Sequence, residues 1–273
     1  MKVVEKMCVV IPVHQPDLTE GQALSLQACA AHLSAHHCYL VFPQGMDTRA
    51  YTAIFPQLRL QPVDAAWLTS VERYNRMKLS PTFYQLFAGY EFMLTYELDA
   101  YIFSDDIEAT GAFDFDYIGA PFFKGYWDAA PDAPLINGGN SGFSVRNIAS
   151  CLKVLGSMHL FKRKWKMYQV LLASQRLKHW VNGLTDYRYE NYVNGYFGFA
   201  FSEKHVNEDL IWSRVVPQMF PWFKVADPLT AIKFSFEYNP ERLLQLNGEQ
   251  LPLGCHAWEK HPDFWKKYIP VNT

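Results

Sequence analysis

Residues 7–13 (MCVVIPV) form an uninterrupted apolar run, and no other part of the sequence constrains the fold as strongly. A strand with one face in water alternates apolar and polar side chains, whereas a continuous apolar run needs cover on both faces. Strands of that kind occur in parallel sheets that carry helices on both sides. The run therefore predicts a central parallel strand in an α/β protein.

A helix and a second strand are predicted to follow this strand. Thr19 and Gln22 have the spacing of a helix capping box, and apolar or small side chains recur at helical spacing as far as Ser34. Residues 38–42 (CYLVF) are a second apolar run. A β-α-β succession nearly always pairs its strands in parallel, and ligands bind where such strands end. We therefore expect ligand-binding residues at the end of the first strand: Pro12, Val13, His14 and Gln15.

Composition excludes several classes of protein. With 273 residues, of which 49% are hydrophobic, the chain can bury a large core, which excludes disorder. A net charge of −2 disfavours a protein that coats nucleic acid, because neutralising phosphates needs a large basic excess. The five scattered cysteines lack a CxxC pair, which predicts reduced, buried thiols. No apolar segment approaches the roughly 18 residues that span a membrane, so we expect a soluble cytoplasmic protein and leave peripheral membrane contact open.

Two acidic residues stand out in the strand-like segment at residues 96–103 (YELDAYIF). Side chains two residues apart in an extended chain point to the same side, so the carboxylates of Glu97 and Asp99 are expected to converge. Converging carboxylates bind hard cations such as Mn²⁺ or Mg²⁺, which keep open positions for diphosphate oxygens. Glu97 and Asp99 are therefore candidate metal ligands, and with Leu98 they are candidate ligand-binding residues. The alternative is an acid in a turn beside a solvated acid, because short acidic motifs are weak signals.

Arg76 and Lys78 precede a predicted helical turn that begins at Pro81. Cationic side chains and the free N–H groups of a helix N-terminus can bind phosphate together. Both residues are therefore candidate phosphate ligands, and a solvated helix face is the alternative.

A basic segment lies in the second half of the chain. Residues 133–185 contain no acidic residue and eight Lys or Arg residues. Residues 161–180 mix these cations with aromatic and apolar side chains at helical spacing, which predicts a basic helical segment over about 148–182. Such helices lie on anionic membranes, and the alternative is a solvated helix packed on the domain. The overall acidity disfavours contact with RNA.

Six short motifs occur in order along the chain: YELDAYIF, FDYIGAPF, NGGNSGFSVRN, NEDLIWS, SFE and GCHAW. Together they resemble the DUF5672 proteins, uncharacterised domains related to GT-A glycosyltransferases, over residues 9–258. The resemblance implies a GT-A-like, Rossmann-type α/β fold with a mixed, mostly parallel central sheet flanked by helices. It also implies a single domain over residues 1–273, with a donor-binding half over about 1–110 and an acceptor-side half over about 111–273.

The same resemblance implies roles for particular residues. The ligand at the end of the first strand would be a nucleotide-sugar donor, and Arg76 and Lys78 would bind its phosphates. His256 in GCHAW is similar to the late histidine that completes the metal shell in many GT-A enzymes. Asp209 and Glu208 in NEDLIWS are similar to the Glu-Asp motif of inverting enzymes, which implies Asp209 as the base and Glu208 as its substitute. The alternatives are a structural histidine and two acids that stabilise a helix N-terminus.

Two segments are expected to bind the acceptor. The Gly-rich run at residues 137–142 leaves no Cβ in the way of a sugar and offers hydrogen-bonding side chains, although an ordinary turn is the alternative. The aromatic ring at position 127 offers a face on which a sugar stacks, although it could equally belong to the core. The candidate acceptor-binding residues are Trp127, Asn137, Gly138, Gly139 and Asn140.

The expected activity is inverting, divalent-metal-assisted glycosyl transfer, with a hexosyl or related sugar moved from a nucleotide-sugar to a hydroxyl group. The acceptor would be a saccharide or a lipid-linked saccharide, as in polysaccharide biosynthesis. The rival is a non-catalytic domain that binds carbohydrate or nucleotide, which Glu97 favours because the strict motif has Asp at that position. A nucleotidyltransferase and a P-loop protein are disfavoured, because the Gly-rich phosphate loop that each needs after the first strand is missing.

Overall fold

The structure is a computed structural model that describes residues 5–126, 129–137, 139–156, 187–188, 200–201, 204–205 and 207–270. The strands are β1 Glu5–Pro12, β2 His37–Pro43, β3 Arg59–Val63, β4 Tyr90–Tyr96, β5 Tyr101–Ile102, β6 Tyr117–Gly119, β7 Phe122–Phe123, β8 Leu135–Ile136, β9 Phe143–Asn147, β10 Tyr187–Arg188, β11 Ala200–Phe201, β12 Lys204–His205, β13 Ser235–Phe236 and β14 Gly254–Cys255. The helices are α1 Glu20–Leu33, α2 Arg49–Ile54, α3 Val71–Lys78, α4 Pro81–Gln85, α5 Ile148–Leu155, α6 Glu208–Leu210, α7 Val216–Met219, α8 Pro228–Phe234, α9 Pro240–Leu246 and α10 Pro262–Trp265. A π-helical segment, Ile211–Val215, connects α6 to α7.

A six-stranded sheet in the order β3-β2-β1-β4-β9-β6 forms the centre of the molecule. Strands β3, β2, β1 and β4 are parallel, whereas β9 runs antiparallel to both of its neighbours. This arrangement confirms the predicted fold class, a mostly parallel sheet flanked by helices. The predicted capping box is also present, because Thr19 and Gln22 exchange backbone and side-chain hydrogen bonds at the start of α1.

Strand β1 is buried on both faces, as its apolar run predicts. Val9 and Ile11 pack in the cluster that includes side chains of α1, whereas Cys8 and Val10 pack on the opposite face with side chains of α3 and α4. Burying one such aliphatic side chain contributes about 1.5–3 kcal/mol. The sheet therefore has a hydrophobic layer on each side, and its strand ends remain for ligand binding. All five cysteines are buried and none is in a disulfide in the structure, in agreement with the prediction of buried thiols.

The helical turn predicted at Pro81 is confirmed, but a separate helix precedes it. Helix α3 ends at Lys78, and a separate short helix, α4, starts at Pro81. Ser80 has extended backbone angles (φ −100°, ψ 128°) because the ring of a following proline disfavours helical geometry. Arg76 and Lys78 therefore lie in the last turn of α3 and do not face the N-terminus of a helix.

Part of the basic segment lies outside the described residues. Helix α5 covers its start, whereas residues 157–182 are not described. Among the helices that the structure describes, none is long and apolar enough to cross a membrane.

Candidate active site

A cleft of about 480 Å³ opens at the carboxyl ends of β1 and β4. The start of α3 forms the opposite wall. The lining residues are Pro12, Val13, His14, Gln15, Asp17, Gln22, Tyr51, Leu68, Thr69, Ser70, Val71, Tyr74, Glu97, Leu98 and Asp99. Seven of the nine residues predicted to bind the donor are in this set, and Arg76 and Lys78 are not.

Glu97, Asp99 and His256 lie together at one edge of this cleft. One ligand atom from each of the three lies within 4.8 Å of the other two. Strand β4 ends at Tyr96, and the acids follow it in a turn that is closed by a hydrogen bond from the Ala100 amide to the Glu97 carbonyl. His256 reaches them because β14 pairs antiparallel with β5, the strand that directly follows this turn.

The environment of the His256 ring fits a metal ligand. Nδ1 lies 3.3 Å from Oε1 of Glu237, within hydrogen-bonding geometry. Nε2 is buried and lacks a hydrogen-bond partner, although it lies 3.0 Å from Oδ1 of Asp99, because the ring N–H direction misses that oxygen. A histidine that donates from one nitrogen to a carboxylate, with the other nitrogen aimed at acidic groups, is typical of metal-binding proteins. Two carboxylates and an imidazole suit a divalent cation of intermediate hardness such as Mn²⁺.

Three acids around the ring, Asp99, Glu237 and Glu97, favour protonation of His256. Burial alone lowers the pKa of this imidazole, but the nearby carboxylates of Asp99, Glu237 and Glu97 outweigh burial and raise the pKa well above its usual range. A divalent cation among these carboxylates would therefore compete with that proton, which makes metal binding weaker at low pH.

Two neighbouring side chains hold Glu97 through one of its carboxylate oxygens. Its Oε1 accepts hydrogen bonds from the hydroxyl of Tyr74 (2.7 Å) and the ammonium group of Lys78 (2.6 Å). Burial alone would raise the pKa of Glu97, but the charges of Lys78 and His256 hold it well below its usual range. Glu97 is therefore an anion at neutral pH, and its Oε2 lies on the His256 side, 3.8 Å from Nε2.

The position of Lys78 contradicts the prediction that it binds the donor phosphate. Its side chain is only 1% exposed, because the last turn of α3 points into the protein. Besides Glu97, its Nζ contacts Oγ of Ser141 at 3.0 Å and Oε1 of Glu208 at 3.3 Å. Arg76 forms an ion pair with Glu72 on the same helix. Neither cation lines the cleft.

Glu208 forms a buried ion pair with Arg146. The two guanidinium NH₂ groups donate to the two carboxylate oxygens, each at 3.0 Å, and both side chains are buried. Burial opposes ionisation of Glu208, but the charges of Arg146 and Lys78 outweigh it and lower its pKa. A carboxylate with a lowered pKa and both oxygens engaged is a weak proton acceptor, in contrast to the predicted substitute role in catalysis.

Asp209, the next residue, has the opposite electrostatic environment. It is 7% exposed, and burial followed by repulsion from Glu208 raises its pKa to about 7. The Leu210 amide donates to its Oδ1 at 2.6 Å. The charge of Glu237 also raises this pKa, and the charge of Lys78 lowers it. A carboxyl group that titrates near neutral pH is suited to general-base catalysis.

The described glycines of the Gly-rich run pack closely against neighbouring residues. The sequence predicted instead that they leave space for a sugar. Gly139 is buried, and a Cβ there would lie 2.7 Å from the Gly119 amide nitrogen. A Cβ at Gly142 would overlap the His256 ring. These glycines therefore allow β6 and His256 to approach the run closely, which is a correction for Gly139.

The other predicted acceptor residues are placed differently. Asn140 is half-buried and hydrogen-bonds Glu237, whereas Asn137 is exposed and its carbonyl accepts a hydrogen bond from Arg214. Trp127 and Gly138 lie outside the described residues.

Sequence reasoning missed the partners of these groups. Glu237 is part of the SFE motif but was assigned no role, and Tyr74 and Arg146 were not singled out as site residues. An acid at the end of a short strand-like segment is the available signal for Glu237. The contact partners of Tyr74 and Arg146 are set by packing, for which a local pattern gives no signal.

The chain resembles known proteins both in sequence and in fold. A family model described as "Protein of unknown function (DUF5672)" matches residues 57–256. No curated protein matches the chain by sequence. The structure is similar to that of mouse xyloside xylosyltransferase 1 in its apo form (TM-score 0.49, 11% identity, covering 92% of this chain and 97% of that one). It is also similar to the galactosyltransferase LgtC in complex with donor and acceptor sugar analogues (TM-score 0.47, 11% identity, 91% and 86%). A third similar structure is a glycosyltransferase involved in glycosylation of the major capsid of PBCV-1 (TM-score 0.45, 11% identity, 97% and 98%).

Proposed function

The chain belongs to the DUF5672 family, and we propose that it is a glycosyltransferase that moves a sugar from a nucleotide-sugar donor to a hydroxyl group with inversion of configuration. One observation carries the proposal: the acid, acid and histidine set of Glu97, Asp99 and His256 stands at the edge of the 480 Å³ cleft at the carboxyl ends of β1 and β4. Ligands of open α/β sheets bind at such strand ends.

The donor would bind with its nucleotide in the cleft and its diphosphate toward the three metal ligands. Residues 12–15, at the end of β1, would form one wall beside the nucleotide, and the start of α3 would form the other. A divalent cation bound by Glu97, Asp99 and His256, Mn²⁺ or Mg²⁺, would offset the charge that builds up on the departing diphosphate. Lys78 keeps Glu97 ionised and oriented for that role.

Asp209 would act as the general base. In the transfer step, the acceptor oxygen forms a bond to the anomeric carbon while the bond from that carbon to the diphosphate oxygen breaks. The proton of the acceptor hydroxyl passes to Asp209, and the electron pair of the broken bond leaves with the diphosphate. Attack opposite to the leaving group inverts the anomeric configuration. The raised pKa of Asp209, about 7, supports this role, because a base with a pKa near the working pH is the most effective. We assign Glu208 the task of holding Arg146 and Lys78 beside this base.

The acceptor would be a saccharide or a lipid-linked saccharide, bound on the side of residues 111–273. Among the described candidates, Asn140 is linked to a metal ligand, because it hydrogen-bonds Glu237, which contacts His256. We propose a single domain, because strand β4 of the first half and strand β9 of the second half pair in one sheet.

Contact of residues 157–182 with an anionic membrane stays a prediction from the sequence.

A non-catalytic domain that binds nucleotide or carbohydrate is the second candidate. The occupation of Glu97 Oε1 by Tyr74 and Lys78 favours it, because only one oxygen of that acid is left for a cation.

Incubation of the protein with a panel of nucleotide sugars, with and without Mn²⁺, separates the two. A transferase releases nucleoside diphosphate in a metal-dependent reaction with at least one donor, and the release speeds up when a saccharide acceptor is added. Tight binding of a nucleotide sugar without any turnover across the panel would favour the non-catalytic domain.

A further inference from the structure

Glu237 makes two hydrogen bonds through one oxygen. Its Oε1 lies 3.3 Å from Nδ1 of His256 and accepts from Nδ2 of Asn140 at 3.0 Å. The side chain is 17% exposed, so water competes little for these contacts. One partner is a candidate metal ligand and the other belongs to the segment predicted to bind the acceptor. Glu237 therefore links the two parts of the proposed active site.

The backbone sets the contact between Glu237 and His256. Strands β13 and β14 are parallel, with Phe236 in register with Cys255, so the next residues of the two strands lie side by side. The amide of His256 donates to the carbonyl of Phe236 at 2.9 Å. Because this pairing belongs to the sheet, the backbone itself places the two side chains next to each other.

A carboxylate next to a ring nitrogen decides which nitrogen carries the proton. An ionised carboxylate only accepts hydrogen bonds, so Nδ1 must be the donor when it contacts Glu237. In the neutral ring, the lone pair then lies on Nε2, the buried atom that lacks a hydrogen-bond partner and lies 3.0 Å from Oδ1 of Asp99.

The second hydrogen bond extends the effect to the Gly-rich run. Asn140 uses its Nδ2 for Glu237 and its Oδ1 for the amide of Gly142, at 2.8 Å. Gly142 packs directly against the His256 ring, and its carbonyl accepts from the amide of Glu97. A closed chain of contacts therefore runs from Glu237 through Asn140 and Gly142 back to the metal ligands.

We propose that Glu237 is a positioning residue that holds His256 with Nε2 free for a divalent cation and, through Asn140, fixes the Gly-rich run against the same site. This inference rests on the proposed function, because it assumes that the triad binds a cation. Glu237 touches neither the cation nor the substrate in this role. It acts through His256 and Asn140.

The test measures Mn²⁺ binding by the full chain without any substrate. The variants are Glu237→Ala, which removes both hydrogen bonds, and Glu237→Gln, which keeps the side-chain shape and removes the charge. Glu241→Gln is the matched control, because this carboxylate is exposed and lies four residues further on, in the first turn of α9. Electron paramagnetic resonance of free Mn²⁺ gives the affinity, and pulsed resonance detects the coupling of bound Mn²⁺ to the ring nitrogen of His256. His256→Gln identifies that coupling.

Loss of such an indirect partner typically weakens metal affinity by about 10- to 100-fold. We expect that loss in Glu237→Ala together with a weakened or missing nitrogen coupling, a smaller loss in Glu237→Gln, and native behaviour in Glu241→Gln. Thermal unfolding of each variant reports whether it is folded. A merely structural role would change the unfolding temperature and leave the nitrogen coupling intact.

Two outcomes overturn the proposal and differ in what else they affect. Native affinity and native nitrogen coupling in a folded Glu237→Gln and Glu237→Ala would contradict the role of Glu237 and leave the proposed function standing. Failure of the native protein to bind Mn²⁺ would contradict the metal site itself, and with it both proposals.

Discussion

The ammonium group of Lys78 lies 2.6 Å from Oε1 of Glu97 and forms an ion pair with it in which the lysine is buried. The same cation lies 3.3 Å from Glu208, whose other partner is Arg146. Two buried cations and two acids therefore balance in charge directly beneath the cleft. This cluster joins one candidate metal ligand to the residue that precedes the candidate base.

The first prediction concerns this cluster. Lys78→Met should lower the free energy of unfolding by roughly 2–4 kcal/mol, because it leaves buried carboxylates without a counter-charge, although the 26% exposure of Glu97 moderates the loss. The double variant Lys78→Met with Glu97→Gln should be less destabilised than the single variant, because its buried charges balance again. Urea unfolding measures both.

An exposed ion pair of similar length supplies the control for that prediction. Lys266 and Asp263 lie 2.7 Å apart but are well exposed, so Lys266→Met should leave the free energy of unfolding nearly unchanged. Equal effects of Lys78→Met and Lys266→Met would contradict the assignment of a buried, charge-balanced cluster.

The second prediction concerns the metal ligands. Asp99→Asn should abolish Mn²⁺-dependent binding of a nucleoside diphosphate, because it removes the charge of a ligand that lies 3.0 Å from His256. Its side chain is partly exposed, so the unfolding temperature should stay within a few degrees of the native value. Isothermal calorimetry measures the affinity, and Asp105→Asn, a change of an exposed acid six residues further on, should bind like the native protein. An unchanged affinity in Asp99→Asn would remove Asp99 from the site.

The third prediction concerns Asp209 as the base. Asp209→Asn should keep donor affinity and lower the rate of transfer by roughly 10²–10⁴-fold, the usual scale of general-base catalysis. In the native enzyme, kcat should fall below a pH near 7, because the base must be ionised and its pKa is about 7. Full activity of Asp209→Asn, or a product with retained anomeric configuration, would contradict the role of Asp209 as the base. Asp209 would then only stabilise the helix N-terminus.

The same pKa predicts how this group affects stability. The folded protein raises the pKa of Asp209 from 3.8 to about 7, so ionisation of this group costs folding free energy once the pH rises through that interval. Asp209→Asn removes the cost. Its unfolding temperature should therefore exceed the native value at pH 8, with a difference that shrinks toward pH 4. A difference that is independent of pH would contradict the raised pKa.

The fourth prediction concerns Gly142. A methyl group there would overlap the His256 ring, so Gly142→Ala should displace the ring and weaken Mn²⁺ binding by at least about tenfold, as expected for loss of an oriented ligand. Gly89→Ala is the control, because a Cβ at that position meets no atom within 4 Å. Equal Mn²⁺ affinity in the two variants, measured by paramagnetic resonance, would show that the ring tolerates the methyl group.

The sequence by itself determined the framework of the sheet. The apolar run at residues 7–13 predicts β1, and the capping box at Thr19 predicts the start of α1. Both are local signals, because propensity and periodicity act within a few residues. The succession of these elements also predicts β2 as the parallel partner of β1. A local pattern also predicted that Glu97 and Asp99 lie together, although they lie in a turn after β4, which ends at Tyr96, and not in an extended segment. The helical turn at Pro81 also followed from a local signal, whereas the end of α3 at Lys78 did not.

Only the tertiary structure decided which side chains meet. His256 lies beside Asp99 because β14 pairs with β5, and Glu237 lies beside His256 because β13 pairs with β14. Lysine side chains are usually exposed, and the sequence around Lys78 gives no sign that this one is not. The end of α3 turns Lys78 toward Glu97 and Glu208, whose opposite charges stabilise it. Strand pairing and burial bring together residues far apart in the chain, and neither leaves a periodic signal in the sequence. Local sequence therefore predicted the strand ends at which a site forms, and long-range pairing determined the partners and the pKa of each group within it.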